Sequence, residues 1–320
     1  MSEIDINLQL AEIFYPYRLE KANSLYPENK EPIKFVHYTS AEAALSIIET
    51  KKIWMRTTSC MSDYSEVRHG FNMLNKFFEQ NTQEFISTLD KYSPGAAQEA
   101  IDLFNRWWAN IEFNTYVTSI SEHDDEENIH GRLSMWRAFG GNNTRVAIVL
   151  KIPVRSLEAE ALKIDFSPVG YHTEEEVLSQ MKDLIGSIER NGDFLNSLQP
   201  QLVRDHLFQM LFMSVTCNKH KGFAEEREWR AIYTPRLHQS AFLKQVIKVI
   251  NGVPQPVYEI PLDGSVLPGV RDLEFSSLFD SLIIGPTSYP VAVFEAFKSV
   301  LEEAGVNNPQ IHTSGIPLRT

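Results

Sequence analysis

Apolar residues recur every three to four positions between residues 66 and 112, through VRHGFNMLNKFFEQ and EAIDLFNRWWANIEF, and the breaker SPG at 93–95 divides the block into two predicted helices. The same period runs through TEEEVLSQMKDLIGSIER, QLVRDHLFQMLFMSV and VAVFEAFKSVLEEAG, with GDF and QP separating the first two. Between these blocks lie short runs rich in β-branched and aromatic residues: KFVH at 34–37, IWMRT at 53–57, TYVTSIS at 115–121, TRVAIVLKI at 144–152, and later EREWRAIY, PVYEIPL and SLIIGP. In AEAALSIIET, Ala41, Ala44, Leu45 and Ile48 fall on one helical face, and Thr39 with Glu42 three residues later predicts a capping box just after His37. Strands scattered among helices without a regular β-α-β rhythm predict an α+β fold. Its core is a mixed, mainly antiparallel sheet, and residues 1–320 form one domain with helical insertions at about 66–112 and 172–217.

Composition narrows the function. With 43% hydrophobic and 22% charged residues the chain can bury a core. A formal charge of −12 argues against a general cationic surface for nucleic acid, leaving room only for a local basic groove. The two cysteines, Cys60 and Cys217, are far apart and support neither a disulfide framework nor a zinc ribbon. The N-terminal MSEIDINLQLAEIF has no basic region followed by a long apolar run, and no stretch reaches 18 apolar residues. The expectation is a cytoplasmic protein without membrane association. Serine-hydrolase, P-loop and Rossmann loops are absent. His123, Asp124, Asp125 and His130 crowd one acidic loop without fixed ligand spacing, which predicts a solvated loop, and Cys217 with His220 would fill only half of a tetrahedral site. No metal is expected.

Candidate chemistry concentrates in three places. In GFAEEREWRAIY, strand alternation would put Glu226, Glu228 and Arg230 on one face and Arg227 and Trp229 on the other. Such a row is either a solvated ladder on an edge strand or a pair of carboxylates able to stabilise an oxocarbenium-like centre and bind a sugar hydroxyl. In SMWRAFGG, Trp136 and Arg137 either stack on a base and pair with a phosphate, or form a buried ring with a snorkelling cation; Gly140-Gly141 predicts a tight turn. Ser62, Asp63 and Glu66 read as an Asx-type turn into a helix.

Taken in order, HYTS followed by a helix and IW, then SDYSE, TSISE, SMWRAFGG, KGFAEEREWR and LIIGP resemble the bacterial proteins grouped as domain of unknown function 2971, from about residue 35 to 290. A second resemblance is to ADP-ribosyltransferases. His37 and Thr39, flanking Tyr38, match the H-x-[ST] pattern that holds the adenosine ribose in one class. Thr118, Ser119 and Ser121 partly match the Ser-Thr-Ser strand of another, and Glu226-Arg227-Glu228 its E-x-E motif. This resemblance implies NAD as co-substrate. Glu228 would stabilise the charge that develops as nicotinamide departs and Glu226 would orient the acceptor. His37, Tyr38, Thr39 and Ser119 would contact the dinucleotide, Arg137 or Arg230 its phosphates, and Trp136 a ring. The acceptor would be a macromolecule, protein or nucleic acid, and the role that of a toxin or phage-defence effector. Two alternatives stand beside it: simple NAD hydrolysis, and a nucleotide- or partner-binding module without turnover.

Overall fold

The computed structural model describes residues 2–25, 33–60, 64–138, 143–152, 161–250, 252–266 and 273–317. The Ser62-Asp63 and Gly140-Gly141 turns lie outside them. The chain divides into two compact units: residues 28–57, 116–166 and 225–320 form a sheet unit, and residues 1–27, 58–115 and 167–224 a helical unit.

Twelve strands are numbered among the described residues: β1 (Lys34–Ser40), β2 (Lys52–Thr57), β3 (Tyr116–Glu122), β4 (Arg145–Lys151), β5 (Asp165–Pro168), β6 (Gly170–Tyr171), β7 (Asn218–Lys219), β8 (Glu228–Tyr233), β9 (Lys244–Ile250), β10 (Val253–Pro261), β11 (Phe279–Ile284) and β12 (Gln310–Thr313). Ten of them form one sheet in the order β12-β11-β4-β1-β3-β2-β10-β9, with β8 paired to β3 and β5 to β8. The ladders β1–β3, β1–β4, β2–β3, β2–β10, β3–β8, β4–β11 and β9–β10 are antiparallel and β11–β12 is parallel, so the fold is α+β with a mixed, mainly antiparallel sheet.

Alternation along the strands assigns the two faces. Ile148 and Leu282 pair across β4 and β11 and pack with Ala44, Ile47 and Ile48 of the helix Ala41–Thr50 and with Phe297 and Leu301 of the helix Pro290–Glu303. Val36, Tyr38, Ala147, Val149 and Ile283 point to the opposite face and pack around Met135 and Trp136. The helix Ala41–Thr50 starts one residue later than the expected cap. Ser40 is the N-cap, its hydroxyl accepting from the Ala43 N–H at 3.1 Å. Thr39 is still held in the β1–β4 ladder opposite Val146, and Ser40 is the last extended residue.

In the helical unit the expected insertions become the helices Tyr64–Asp90, Ala96–Phe113, Glu174–Arg190 and Pro200–Thr216, joined by the N-terminal helices Glu3–Phe14 and Pro16–Leu25. The break near 93–95 is real: Gly95 takes φ 81°, and its N–H donates to the Asp90 carboxylate at 3.0 Å. Helix Pro200–Thr216 is buried on most sides, as expected of a central helix. At Gly70 a Cβ would stand 2.9 Å from the Val215 Cα, so only glycine admits that approach. Among the described residues no helix is long and apolar enough to cross a membrane.

Candidate functional site

The sheet unit carries a fork. One edge of β3 pairs with β8 from Tyr116↔Tyr233 to Ser121↔Glu228. The other edge is shared: β1 pairs only at Phe35↔Glu122 and Val36↔Ser121, and β2 only at Arg56↔Val117 and Thr57↔Tyr116. Along residues 118–120 neither strand pairs with that edge, and β1 and β2 part. His37 is the first β1 residue past the break, and its Nδ1 lies 3.0 Å from the Ser119 carbonyl. Because a carbonyl only accepts, Nδ1 carries the proton. Burial pushes the His37 pKa below its ordinary value, against a smaller opposing effect of the Ser119 carbonyl, so the ring is neutral at pH 7.

Cross-strand partners share a face. Val36, Ser121 and Glu228 are successive partners, so alternation places Tyr38, Ser119, Glu228 and Arg230 together on one face. His37 and Thr39 alternate to the other, with Phe35 and Trp229. The sequence-predicted residues are therefore divided by the plane of the sheet.

On the first face Glu228 and Arg230 form a buried pair, Oε1 2.7 Å from Nε and Oε2 3.3 Å from Nη2, at 5% and 1% exposure. Their two-residue spacing on one face follows the alternation expected. Glu226 does not join them. It ends a 3-10 turn, Lys221–Glu226, and Arg227 follows with φ 44°, so the strand begins only at Glu228. Arg132 holds this turn: its Nη1 donates to the carbonyls of Glu225 and Glu226, each at 2.9 Å, its Nη2 to that of Glu122, and its Nε lies 3.2 Å from Glu127. Arg227 reaches Asp124 at 2.6 Å and also pairs with Glu127. Trp229 donates its indole N–H to Glu122 at 2.9 Å and stacks on Phe166.

The acidic loop is solvated at Asp124, Asp125, Glu126 and His130, as expected, and His123 is the exception. His123 is buried with Nε2 2.9 Å from the Asn128 amide oxygen, and His130 Nδ1 lies 2.6 Å from the Ser314 carbonyl. Lys34 pairs with Asp125, and Arg227 with Asp124 and Glu127. Among the described residues no group of three or more His, Cys, Asp or Glu side chains is placed to hold a metal ion.

Trp136 lies in the short helix Leu133–Ala138, 5% exposed, edge-on to Tyr38 at 4.8 Å between ring centres, with its N–H donated to the His130 carbonyl at 2.8 Å. A Cβ at Gly131 or Gly285 would come within 2.7 and 2.9 Å of the indole. It is a packed core ring, which corrects its assignment as a stacking platform. Tyr38 is likewise buried, its hydroxyl accepting from the Arg132 N–H at 2.9 Å, and burial raises its pKa. Arg137 beside them is exposed.

Two site residues were not anticipated. Extending the β2–β3 register past Arg56↔Val117 would set Trp54 opposite Ser119. At the fork that pairing never forms, and the Trp54 indole N–H and Ser119 hydroxyl are both buried without hydrogen-bond partners. Arg56, on the same face as Trp54, is aligned by the Gln255 amide oxygen at 3.0 Å. The alternation Trp54-Arg56 in IWMRT was the available signal. A chain of net charge −12 thus gathers Arg56, Arg230, the carboxylates of Glu228 and of Glu259, the cross-strand partner of Trp54, and two uncommitted polar groups on one face of a parted sheet.

Comparison with known proteins adds one family. No curated protein and no solved structure matches the chain. Residues 135–231, from Met135 through the Glu228–Arg230 pair, match the model of the family described as "Protein of unknown function (DUF2971)", which bears out the family resemblance drawn from the order of motifs.

Proposed function

We propose that the fork is the site of an enzyme that cleaves the glycosyl bond of NAD and transfers ADP-ribose, with Glu228 as the carboxylate that faces the reacting sugar. The observation that carries this reading is the fork itself. Beside a parted strand pair, Glu228 and Arg230 share a face with the Ser119 hydroxyl and the Trp54 indole N–H, both buried without partners. In this reading phosphate oxygens compete with Glu228 for Arg230, and the released carboxylate stabilises positive charge at C1′ as the carbon–nitrogen bond breaks and nicotinamide leaves with the electron pair. Ser119 and Trp54 offer hydrogen bonds to sugar or carboxamide. His37 acts through the sheet, fixing the Ser119 backbone from the opposite face, and Glu226, held at the turn, is no partner to Glu228 along a strand.

The test is incubation of the purified protein with NAD labelled in the ADP-ribose moiety, with and without cell extract, measuring free nicotinamide and label on macromolecules. Glu228→Gln keeps the shape and is expected to lower nicotinamide release by about 10²–10³-fold. Equal release by wild type and variant, or none by wild type, overturns the reading. Label confined to free ADP-ribose assigns hydrolysis instead. A second reading has its own support, because Arg230 engages both carboxylate oxygens of Glu228. A nucleotide bound without turnover would give calorimetric heat, no nicotinamide, and an affinity that depends on Arg230.

A further inference from the structure

The helical unit contains a pocket of about 490 Å³ walled by the N-terminal helices, the helices Glu174–Arg190 and Pro200–Thr216, and the β6–β7 ribbon. Its size falls within the range of small-molecule sites, roughly 300–1,000 Å³. Met181, Met210, Met213 and Cys217 line it, with Cys217 Sγ 3.9 Å from Met213 Sδ. Unbranched thioethers adapt to irregular shapes and make favourable contacts with aromatic rings, so this wall suits a flat, polarizable molecule. Charged side chains such as Glu12, Asp183 and Arg190 also line it; among the described residues of the wall, Asn218 carries the buried side-chain polar atom without a hydrogen-bond partner. It lines the pocket at 6% exposure; its Nδ2 meets only the Met73 sulfur at 3.9 Å, and its Oδ1 has no hydrogen-bond partner. A buried amide oxygen left unpaired is costly, and a donor on a ligand removes that cost. The neighbouring phenols do not serve, since Tyr15 and Tyr17 donate to the His206 and Val169 carbonyls.

We propose that this pocket binds a small aromatic compound bearing an N–H or O–H donor, its ring held among the methionines and its donor directed at Asn218 Oδ1. The site lies wholly within the helical unit and is independent of the reading of the fork. The probes are 2-phenylindole, which carries one N–H, and 2-phenylbenzofuran, its isostere without a donor, titrated by fluorescence into the full chain. The indole is expected to bind about tenfold more tightly than the benzofuran, the worth of one hydrogen bond. Asn218→Leu should erase that preference while leaving benzofuran affinity intact. Ser187→Trp, which fills the pocket from the partly exposed face of helix Glu174–Arg190, should abolish binding of both with an unchanged circular dichroism spectrum. Failure of the wild type to bind 2-phenylindole, equal affinity for the two probes, a preference that survives Asn218→Leu, or binding unaffected by a folded Ser187→Trp overturns the proposal.

Discussion

Two regions, one in each unit, treat buried polar groups in opposite ways. At the turn and strand around Arg132 and Glu228 charge answers charge or dipole: Arg132 meets three carbonyls and Glu127, and Glu228 meets Arg230, each pair fixed by strand register or by a loop pinned to it. Around the helical unit's pocket, Asn218 meets the Met73 sulfur on one side and is left unanswered on the other. Where a backbone ladder sets side-chain positions, a buried charge can be matched in advance, and its loss exposes a partner with nowhere to go. Where side chains of adaptable shape set the wall, the structure tolerates an open valence. Substitutions in the first region should therefore cost more than those in the second.

The largest effect is expected at Arg132. Replacement by Ala leaves three carbonyls without this donor and Glu127 with Arg227 as its remaining guanidinium partner, in a site that is 8% exposed, and should cost about 3–5 kcal/mol, read as a lowered urea midpoint. A loss below 1 kcal/mol would mean that water replaces the guanidinium and that the contrast between the units is false. In the helical unit the strongest competitor is Gly70→Ala, whose new Cβ meets backbone rather than a side chain that could turn aside. It should cost about 1–3 kcal/mol. Asn218→Leu should stay within about 1 kcal/mol, since it removes an unpaired acceptor along with its desolvation cost.

Acid should act on both units. Burial depresses the pKa values of His37 and His123 in the sheet unit and of His172 and His206 in the helical unit. A histidine whose folded pKa lies below its unfolded value of about 6.5 favours folding fully above that pH and loses its contribution as pH falls below it, because the unfolded chain takes up the proton first. Stability should be level near pH 7–8 and decline from about 6.5 downward. His123→Gln, which can still hydrogen-bond to Asn128, should flatten that decline in thermal melts. An unchanged slope would place the acid sensitivity elsewhere.

How much of this was legible in the sequence depends on whether the controlling interaction is local. β4 and β8 were readable because burial supports their apolar and alternating patterns. β9 escaped because its apolar Ile247 and Val249 point outward, at 68% and 67% exposure, so its pattern did not mark a core. Helix Glu3–Phe14 carries its own start signal, the reciprocal Ser2–Asp5 box, in a stretch whose reading centred on targeting. Glu228 and Arg230 were visible as a two-residue spacing, whereas Glu226 was misplaced because nothing nearby announces the left-handed Arg227. The fork could not be read at all. It exists only because β1 and β2 each stop pairing with the same edge of β3, a strand far from both in sequence.

The smallest expected effect decides the remaining question of local reading. Thr39 and Ser40 are adjacent hydroxyls, and either could cap the helix that follows; Glu42 three residues after Thr39 favours the first. The β1–β4 ladder reverses that preference by running one pair beyond Thr39: Thr39 lies opposite Val146 and Ser40 opposite Arg145, so it is Ser40, at the ladder's last pair, that turns the chain and accepts from Ala43. Ser40→Ala should then lower stability by about 1 kcal/mol, while Thr39→Ala should cost less than half as much. Because Ser40→Gly frees the cap geometry while removing the hydroxyl, it should fall between them. If Thr39→Ala proves the costlier change, the helix starts one residue earlier in solution, and β1 releases the strand end that borders the fork.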